Sequence, residues 1–367
     1  MHDVRLPIQS IALRGASRAG SAQPIIVRMK IAVYGLGFMG STHLKAIQKI
    51  PQAKLVAVAC DIPQRLTGDL SEVQGNIGGP GEHMDFSALR KYSDAYQALR
   101  DFETEAVDLC LPTNLHAPVA IAALEAGKHV LVEKPMALSG EECERMIAAA
   151  RLAGRVLMVA QVLRFIPAYR VTAERVKSGS LGAIRSAIFR RRCAAPTWGG
   201  WLNNKAASGG GVFDLLIHDV DFMLQAFGPP GAVSAVGYED LPRGIDWITA
   251  TFHYGDRMSV VISGGWHHPK SFPFSMEFTV VGDEGTVEYN SEGRPLTLYR
   301  ADGEAEPLDA SGPEDWYQAE IEYFVDCASR NCWPDFCPPE ESAAAVKLAL
   351  RMLEARARNG ERIPCNL

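Results

Sequence analysis

Short apolar segments alternate with helical patterns between residues 31 and 162 of the chain. The segments lack polar alternation, which is typical of parallel strands buried on both faces. They lie at 31–34, 54–59, 107–111, 129–132 and 155–162. Between them, helical patterns occur at 42–50, 85–100, 117–126 and 140–153. Strands and helices that alternate in this way predict a doubly wound parallel sheet, which is an α/β fold.

The hydrophobic pattern changes beyond residue 184. Alternating or β-branched segments, separated by short turns, lie at 184–192, 247–254, 258–263, 274–281 and 286–289. An apolar helix is predicted at 212–224, and two further helices at 314–330 and 340–358. We therefore expect a second unit of α+β type, with a large, mainly antiparallel sheet covered by helices on only one face. A chain of 367 residues has the length expected for two such domains.

Composition and charge exclude several classes of protein. The net charge of −6 and the lack of a basic patch with interleaved aromatic residues argue against a nucleic-acid partner. No apolar segment approaches the ~18 residues needed to cross a bilayer, so no membrane partner is expected. The eight cysteines have no paired spacing, which indicates reduced intracellular thiols and a cytoplasmic protein. Cys327, Cys332 and Cys337 lack the close pairs of zinc sites, and we predict no metal.

Residues 1–28 differ from the rest of the chain. They contain four arginines but neither an apolar core nor a twin-arginine pair, so a secretory signal is not expected. Because the first strand begins directly after Met29, we expect residues 1–28 to be a loose extension, or Met29 to be the natural start.

A glycine motif follows the first strand directly. Gly35, Gly37 and Gly40 form the pattern G-x-G-x-x-G, and a helical pattern begins at Thr42. In this context the three glycines allow a tight turn, a close approach to a pyrophosphate, and tight packing of helix on strand. Asp61 follows the next strand, where a carboxylate can accept hydrogen bonds from an adenosine ribose. The pattern favours a dinucleotide site, and an ordinary glycine-rich turn is the alternative.

Glu133, Lys134 and Pro135 lie where a predicted parallel strand ends, which is where ligands bind in doubly wound sheets. A lysine there can contact both a cofactor ribose and a substrate hydroxyl, and its charge favours a developing alkoxide. The proline fixes the following backbone and is a candidate for a cis peptide bond. The alternative is a surface lysine that happens to end a strand.

Asp214 and His218 lie on the apolar helix that follows Gly209–Gly211. Because four residues separate them, they share one helix face. An unpartnered polar group on such a helix costs about 1–3 kcal/mol. An Asp–His pair can transfer a proton near neutral pH, because a carboxylate raises the pKa of histidine above about 6.5. The alternatives are a core histidine and a metal site, which would need a third ligand.

Several other polar and aromatic residues are candidates for a substrate pocket. Aromatic and amide side chains suit polyhydroxylated ligands, although each of these residues is equally compatible with packing. The run Arg190–Arg192 is interpreted as a solvated strand edge or a substrate clamp. The pocket candidates are Arg164, Tyr169, Trp198, Trp201, Asn203, Lys205 and His267.

The order of these motifs resembles the glucose–fructose oxidoreductase, inositol dehydrogenase and MocA-type (Gfo/Idh/MocA) family. The resemblance extends from residue 30 to residue 358, and its most specific part is Glu-Lys-Pro followed by Gly-Gly-x-x-x-Asp-x-x-x-His. The segment 1–28 and an insertion at 68–83 depart from the family pattern. The matching segments are GLGFMG at 35–40, PTNLH at 112–116, EAGKHVLVEKP at 125–135, RFIPAY at 164–169, GGGVFDLLIH at 209–218 and VGDEGTV at 281–287.

The resemblance implies an NAD(P)-dependent oxidoreductase acting on a secondary alcohol of a sugar, inositol or related polyol. His218 would accept the hydroxyl proton, Asp214 would orient His218 or the sugar, and Lys134 would lower the pKa of the alcohol. The same three residues would bind substrate together with Arg164, Tyr169, Trp198 and Asn203. The cofactor would contact Gly35, Gly37, Phe38, Met39, Gly40, Asp61, Arg65, Pro112, Thr113, Asn114, His116, Glu133, Lys134 and Gln161.

Cofactor choice and domain organisation follow from the same resemblance. Asp61 favours NAD, because a carboxylate repels the 2′-phosphate of NADP, whereas Arg65 one turn later leaves NADP open. Residues 29–162 would form the dinucleotide-binding domain, and residues 163–367 would form the substrate-binding domain of a homodimer or homotetramer. Two other functions are alternatives to a dehydrogenase: a regulator that binds the dinucleotide without catalysis, and an enzyme that transiently oxidises a glycoside with retained NAD.

Overall fold

Two β-sheets with flanking helices form the part of the chain that the computed structural model describes, residues 28–75, 81–197 and 200–367. The expectations for residues 1–27 and for Trp198 lie outside these ranges. The strands of the first sheet are β1 (Met29–Tyr34), β2 (Ala53–Ala59), β3 (Arg90–Tyr92), β4 (Ala106–Leu109), β5 (His129–Glu133) and β6 (Leu157–Ala160). The helices in this part of the chain are α1 (Phe38–Lys49), α2 (Ala95–Ala98), α3 (Thr113–Glu125) and α4 (Gly140–Ala153).

The first sheet is parallel throughout, with the strand order β3-β2-β1-β4-β5-β6. The order reverses between β1 and β4, the position at which doubly wound sheets open a crevice for ligands. Every residue of β4, β5 and β6 is buried, which explains why these strands lack polar alternation. The predicted doubly wound sheet is confirmed.

Residues 85–100 depart from the predicted secondary structure. Instead of one helix they form β3, which pairs with Ala57–Ala59 of β2, and the short helix α2. Asp94 caps the start of this helix, because its side chain accepts a hydrogen bond from the backbone N–H of Gln97. Strand pairing at the edge of the sheet therefore outweighs the local helical pattern, and the predicted helix was wrong.

The second sheet is mixed and has nine strands in the order β14-β13-β12-β11-β7-β10-β9-β8-β15. β7 and β10 are parallel, and the other pairs are antiparallel, so the predicted mainly antiparallel sheet is confirmed. Its strands are β7 (Ile184–Cys193), β8 (Ala232–Asp240), β9 (Ile245–His253), β10 (Ser259–Trp266), β11 (Ser275–Gly282), β12 (Gly285–Asn290), β13 (Arg294–Arg300), β14 (Ala305–Pro307) and β15 (Ile363–Pro364). The remaining helices are α5 (Pro167–Lys177), α6 (Lys205–Ser208), α7 (Gly211–Phe227), α8 (Trp316–Arg330) and α9 (Pro339–Ala357).

Side chains of the second sheet alternate between a covered face and an open face. Phe189 of β7 and Phe278 of β11 point inward and pack against Phe222 of α7. Ile188, next in the chain to Phe189, is exposed on the opposite face. This period of two follows from strand geometry, and it places α7 between the sheet and the rest of the molecule.

Helix α8 comes late in the sequence but packs on the first sheet. Its buried Ile321, Phe324 and Val325 share a hydrophobic core with Leu44 and Ile47 of α1. The C-terminal part of the chain therefore contributes side chains to both units. Among the described residues, no helix has the length and apolar character required to cross a membrane.

Candidate active site

A cavity of about 800 Å³ runs from the end of β1 to helix α7, and it lies between the two sheets. Residues from both units line it, so it can be built only when the two units pack together. Twelve of the residues expected at the site lie on its wall: Gly35, Gly37, Phe38, Met39, Asp61, Arg65, Pro112, Glu133, Lys134, Trp201, Asp214 and His218.

The turn between β1 and α1 has the geometry of a dinucleotide site. Gly35 has a positive φ of 92°, and a Cβ atom there would lie 2.2 Å from the carbonyl oxygen of Cys110. A Cβ atom at Gly40 would lie 1.8 Å from the carbonyl oxygen of Gly35, so both positions require glycine. Gly37 precedes α1, has no side-chain cap, and faces open space. The free N–H groups of the first turn therefore suit a pyrophosphate, as the glycine motif predicts.

Lys134 and Asp214 form an ion pair across the cavity. The Nζ atom of Lys134 donates to the Oδ1 atom of Asp214 at 3.0 Å and to its backbone carbonyl oxygen, also at 3.0 Å. Asp214 lies in the first turn of α7, so this pair connects the end of β5 to that helix. The Lys134–Pro135 peptide bond is cis, as the sequence suggested.

His218 lies one turn beyond Asp214, but the expected Asp–His pair does not form. The Asp214 carboxylate binds Lys134 instead, and the Nδ1 atom of His218 is buried without a hydrogen-bond partner among the described residues. Burial and then the positive charges of Lys134 and Arg191 lower the pKa of His218 well below its ordinary value. The expectation that a carboxylate raises this pKa was therefore wrong, and the imidazole is neutral at physiological pH.

A buried charge network supports the strand end beneath Lys134. The Nδ1 atom of His43 lies 2.9 Å from Asp108, and its Nε2 atom lies 3.2 Å from Glu133. Burial is the largest single influence and lowers the pKa of His43, but the charges and hydrogen bonds of Asp108 and Cys110 together raise this pKa well above its ordinary value. Glu133 in turn accepts a hydrogen bond from the backbone N–H of Lys134 at 2.9 Å. His43 and Asp108 were not identified from the sequence, because each lies inside an ordinary helical or strand pattern.

His43, Asp108 and Cys110 also have the geometry of a possible metal site, because their ligand atoms lie within 4.8 Å of one another. However, the Nδ1 atom of His43 already faces Asp108, and burial raises the pKa of the Cys110 thiol. An ion pair with a neutral thiol beside it accounts for all three side chains.

His116 supports the site through the main chain instead of lining the cavity. Its Nδ1 atom lies 2.8 Å from the carbonyl oxygen of Pro135, and its Nε2 atom lies 2.8 Å from that of Leu111. Both ring nitrogens are therefore occupied by the two strand ends that border the cavity. The expected cofactor contact through this side chain is replaced by a structural one.

Five other expected site residues do not lie on the cavity wall. Gly40 is buried behind the glycine turn, and Thr113 and Gln161 are buried with side-chain polar atoms that lack partners among the described residues. Asn114 and Asn203 are exposed outside the cavity. Two candidates from the substrate pocket are also elsewhere: Lys205 pairs with Glu239, and His267 contacts Tyr238.

Arg164 and Tyr169 lie in the protein core, which removes them from the substrate-binding candidates. Arg164 is 1% exposed and makes two hydrogen bonds to Asp221, at 2.7 and 2.8 Å. Tyr169 is fully buried and packs edge-on against Phe222 and Phe278. Both were expected to contact substrate because polar and aromatic side chains suit such ligands, but here each is satisfied by a long-range partner inside the fold.

Replacing Arg164 with leucine is expected to lower the free energy of unfolding by about 3 kcal/mol, because it leaves Asp221 as an unpaired buried charge. Urea denaturation followed by circular dichroism and by tryptophan fluorescence would measure this change. Arg330→Leu is the matched control, since Arg330 is exposed and its ion-pair partner among the described residues is Asp326 on the same helix. Equal stabilities of the two variants would contradict a structural role for Arg164.

Sequence reasoning left the arginine run 190–192 open between a solvated strand edge and a substrate clamp, and it missed several other residues that line the cavity. Arg191 is the middle residue of the arginine run, and it points inward because Ile188 and Arg190 point outward along β7. Its Nε and Nη2 atoms bind Asp219 of α7 at 2.7 and 3.1 Å. Side chains alternate between the two faces of a strand, so the apolar Phe189 two residues earlier was the sequence signal that Arg191 points inward. The missed residues include Pro196, Leu202, Leu215, Trp266, Phe274, Met276, Trp316 and Tyr317.

Comparison with known proteins gives consistent matches along most of the chain. The model of the oxidoreductase family with an NAD-binding Rossmann fold matches residues 29–161, and that of the GFO/IDH/MocA C-terminal domain matches residues 169–288. The scyllo-inositol 2-dehydrogenase (NAD(+)) of Bacillus subtilis (strain 168) is 27% identical over 325 residues, which cover 84% of this chain and 88% of that protein. The D-glucoside 3-dehydrogenase of Escherichia coli (strain K12) is 30% identical over 241 residues, which cover 63% of this chain and 65% of that protein.

A solved structure shares the same fold. Levoglucosan dehydrogenase in complex with NADH matches this chain with a TM-score of 0.79 and 20% identity, covering 92% of this chain and 99% of that one. Because the two sequences are only 20% identical, this match shows a shared fold alone. The two family models, in contrast, match the sequence of this chain. This chain therefore belongs to the Gfo/Idh/MocA family of oxidoreductases, and it is an enzyme with an NAD-binding Rossmann domain.

Proposed function

We propose that the protein oxidises a secondary alcohol of a sugar or polyol, with NAD as the hydride acceptor. The observation that carries the proposal is the joint placement of Lys134, Asp214 and His218 on one cavity with the glycine turn of α1. Relatives that act on inositol and on glucosides support the substrate class.

The chemistry divides between the cofactor and the side chains of the chain. The glycine turn before α1 and Asp61 would hold NAD⁺, which when bound would supply the oxidant, because its nicotinamide can accept the hydride of the alcohol carbon. His218 is neutral and therefore accepts the hydroxyl proton as the carbonyl forms, which balances the reaction as ketone, NADH and one proton. Lys134 donates a hydrogen bond to the same oxygen and stabilises its developing negative charge. Asp214 holds Lys134 in position through their ion pair.

A substrate screen would test the proposal directly. Sugars, glycosides and cyclitols are incubated with NAD⁺ and with NADP⁺, and absorbance at 340 nm is followed. Reduction of NAD⁺ by at least one of them is the expected result. A protein that binds NAD⁺ but reduces none of it would contradict the proposal. Glycoside cleavage without NADH release would instead indicate transient oxidation by a retained cofactor.

Asp61 is expected to set the preference for NAD over NADP. Asp61→Ser removes a carboxylate at the end of β2 and leaves Arg65 on the same cavity wall free to bind a 2′-phosphate. The ratio of kcat/KM for NADP to that for NAD should rise about tenfold or more, because like-charge repulsion is lost. Steady-state kinetics with both cofactors measures the ratio, and Asp256→Ser, a change at an exposed turn, is the control. An unchanged ratio would show that Asp61 does not contact the adenosine ribose.

The open face of the second sheet supports a homo-oligomer. Large apolar side chains on this face are exposed, although such a surface is usually covered in a soluble protein. Light scattering during size-exclusion chromatography should give the mass of a dimer or tetramer. Changing Val236 to lysine should shift that mass toward the monomer. The exposed residues are Ile188, Val236, Tyr238 and Tyr299.

A further inference from the structure

Three aromatic residues meet at one end of the second sheet, and we call Trp201, Trp266 and Phe274 the aromatic wall. Strand register places Trp266 and Phe274 at the same end of the sheet. Trp266, the last residue of β10, pairs with the last residue of β7, and β11 begins beside β7 at the same end. Phe274 directly precedes β11, and Trp201 lies in the segment that follows β7. All three side chains line the cavity.

The aromatic wall adjoins the residues proposed for catalysis. The indole of Trp266 packs against the first residue of α7, because a Cβ atom at Gly211 would lie only 2.4 Å from it. Asp214 belongs to the same first turn of that helix. The ring of Phe274 faces the Arg191 guanidinium, with 5.9 Å between its centroid and Cζ. The wall is thus held in place by contacts on two sides.

Hydrogen-bonding groups are scarce around the wall. On the substrate side of the cavity, the described polar side chains are Lys134, Arg191, Asp214, His218 and Tyr317, and Trp201, Trp266 and Trp316 each add one indole N–H. Arg191 already binds Asp219, and one carboxylate oxygen of Asp214 already binds Lys134. The free groups suffice for the hydroxyls of one sugar ring near the reacting carbon. Hydroxyl groups beyond that ring would face apolar surface and lose their hydrogen bonds to water, whereas an apolar group would gain by burial.

We infer that the preferred substrate is a glycoside with an aromatic aglycone, whose sugar ring lies at Lys134 and His218 and whose aglycone packs on the aromatic wall. This inference rests on the proposed function, because it assigns the sugar end of the substrate to the proposed catalytic residues. Aromatic rings pack well on tryptophan and phenylalanine, in offset-stacked or edge-to-face arrangements. The wall therefore discriminates glycosides by their aglycone instead of by further hydroxyl contacts.

The first test compares phenyl β-D-glucopyranoside with methyl β-D-glucopyranoside, and includes both α-anomers. Dissociation constants are measured calorimetrically on the NADH-loaded protein, and kcat/KM is measured with NAD⁺. For at least one anomer, the phenyl glucoside should bind about tenfold more tightly than the methyl glucoside of the same anomer. A phenyl ring buries more apolar area than a methyl group does. Equal binding of phenyl and methyl glycosides would overturn the inference. Tighter phenyl binding without any NAD⁺ reduction would support the wall and contradict the proposed function.

The second test locates the preference on the wall. Phe274→Ala should reduce the ratio of methyl to phenyl dissociation constants about fivefold, because it removes one apolar face of the aglycone site. Trp201→Ala should act in the same direction, and it serves as the test if Phe274→Ala does not fold. Phe102→Ala is the matched control, because Phe102 is 87% exposed and lies outside the cavity. An unchanged ratio in both wall variants would overturn the inference.

Discussion

Replacing Lys134 with methionine is expected to lower kcat about a thousandfold, while the dissociation constant of NAD⁺ stays within about fivefold of the wild-type value. Methionine fills a similar volume but supplies neither a charge nor a hydrogen-bond donor. Lys134 donates to the carboxylate and to the backbone carbonyl of Asp214, each at 3.0 Å, and at that position its third N–H group can reach a substrate oxygen in the cavity. Loss of this group removes stabilisation that develops mainly in the transition state, so the effect should fall on kcat instead of on KM.

Fluorescence titration with NADH and steady-state kinetics would separate binding from turnover in this variant. Lys205→Met is the matched control, because Lys205 is an exposed lysine that pairs with Glu239 away from the cavity. The control should retain wild-type kcat. If Lys134→Met also retained kcat within tenfold, Lys134 would be a structural partner of Asp214 and the proposed stabilisation of the alkoxide would be wrong.

Local sequence patterns were sufficient to locate the proposed site at strand ends. The glycine motif predicts a turn that only glycine can form, and the structure shows clashes for any larger residue at Gly35 and Gly40. Continuous apolar segments predicted the parallel strands, which carry Asp61 and Lys134 to the same edge of the first sheet. The glycine turn and the strands depend on residues that are neighbours in sequence, so both can be predicted from the sequence.

Pairing between distant residues could not be predicted in the same way. The Asp214 carboxylate has two possible partners, His218 on its own helix and Lys134 directly after β5. In the folded protein it pairs with Lys134. Arg164 likewise binds Asp221, and a polar motif residue thereby becomes part of the core. Such choices depend on how the two units pack together, and the helical or strand period contains no information about them.

The buried network under Lys134 illustrates the same limit. His43 follows the glycine motif within α1, and Asp108 lies in a strand that is otherwise apolar. A buried carboxylate in such a strand requires a partner, and this was an available signal that the sequence predictions did not use. Only the structure identifies the partner as His43, and it further shows that the pair is connected through Glu133 to the backbone of Lys134.

His218→Asn is expected to lower kcat by about three to four orders of magnitude, because asparagine cannot accept the hydroxyl proton. The pH profile of the wild-type enzyme provides an independent readout. Burial, Lys134 and Arg191 lower the pKa of His218 well below 6.5. A base with a lowered pKa remains deprotonated as the pH falls, so kcat/KM for alcohol oxidation should hold its plateau below pH 6.5 and decline only when the pH approaches the lowered value.

Two variants distinguish the protonation of His218 from that of other groups that could cause the decline of kcat/KM at low pH. Lys134→Met removes one of the positive charges that lower the pKa of His218, so the acid decline of its residual activity should move to higher pH. In His218→Asn the residual activity should lack this decline. Profiles measured between pH 5 and 9 in buffers of constant ionic strength would test both statements. A wild-type decline centred at or above pH 6.5 would mean that a carboxylate stabilises the imidazolium during turnover, and the Asp214–His218 pair would then form in the working enzyme.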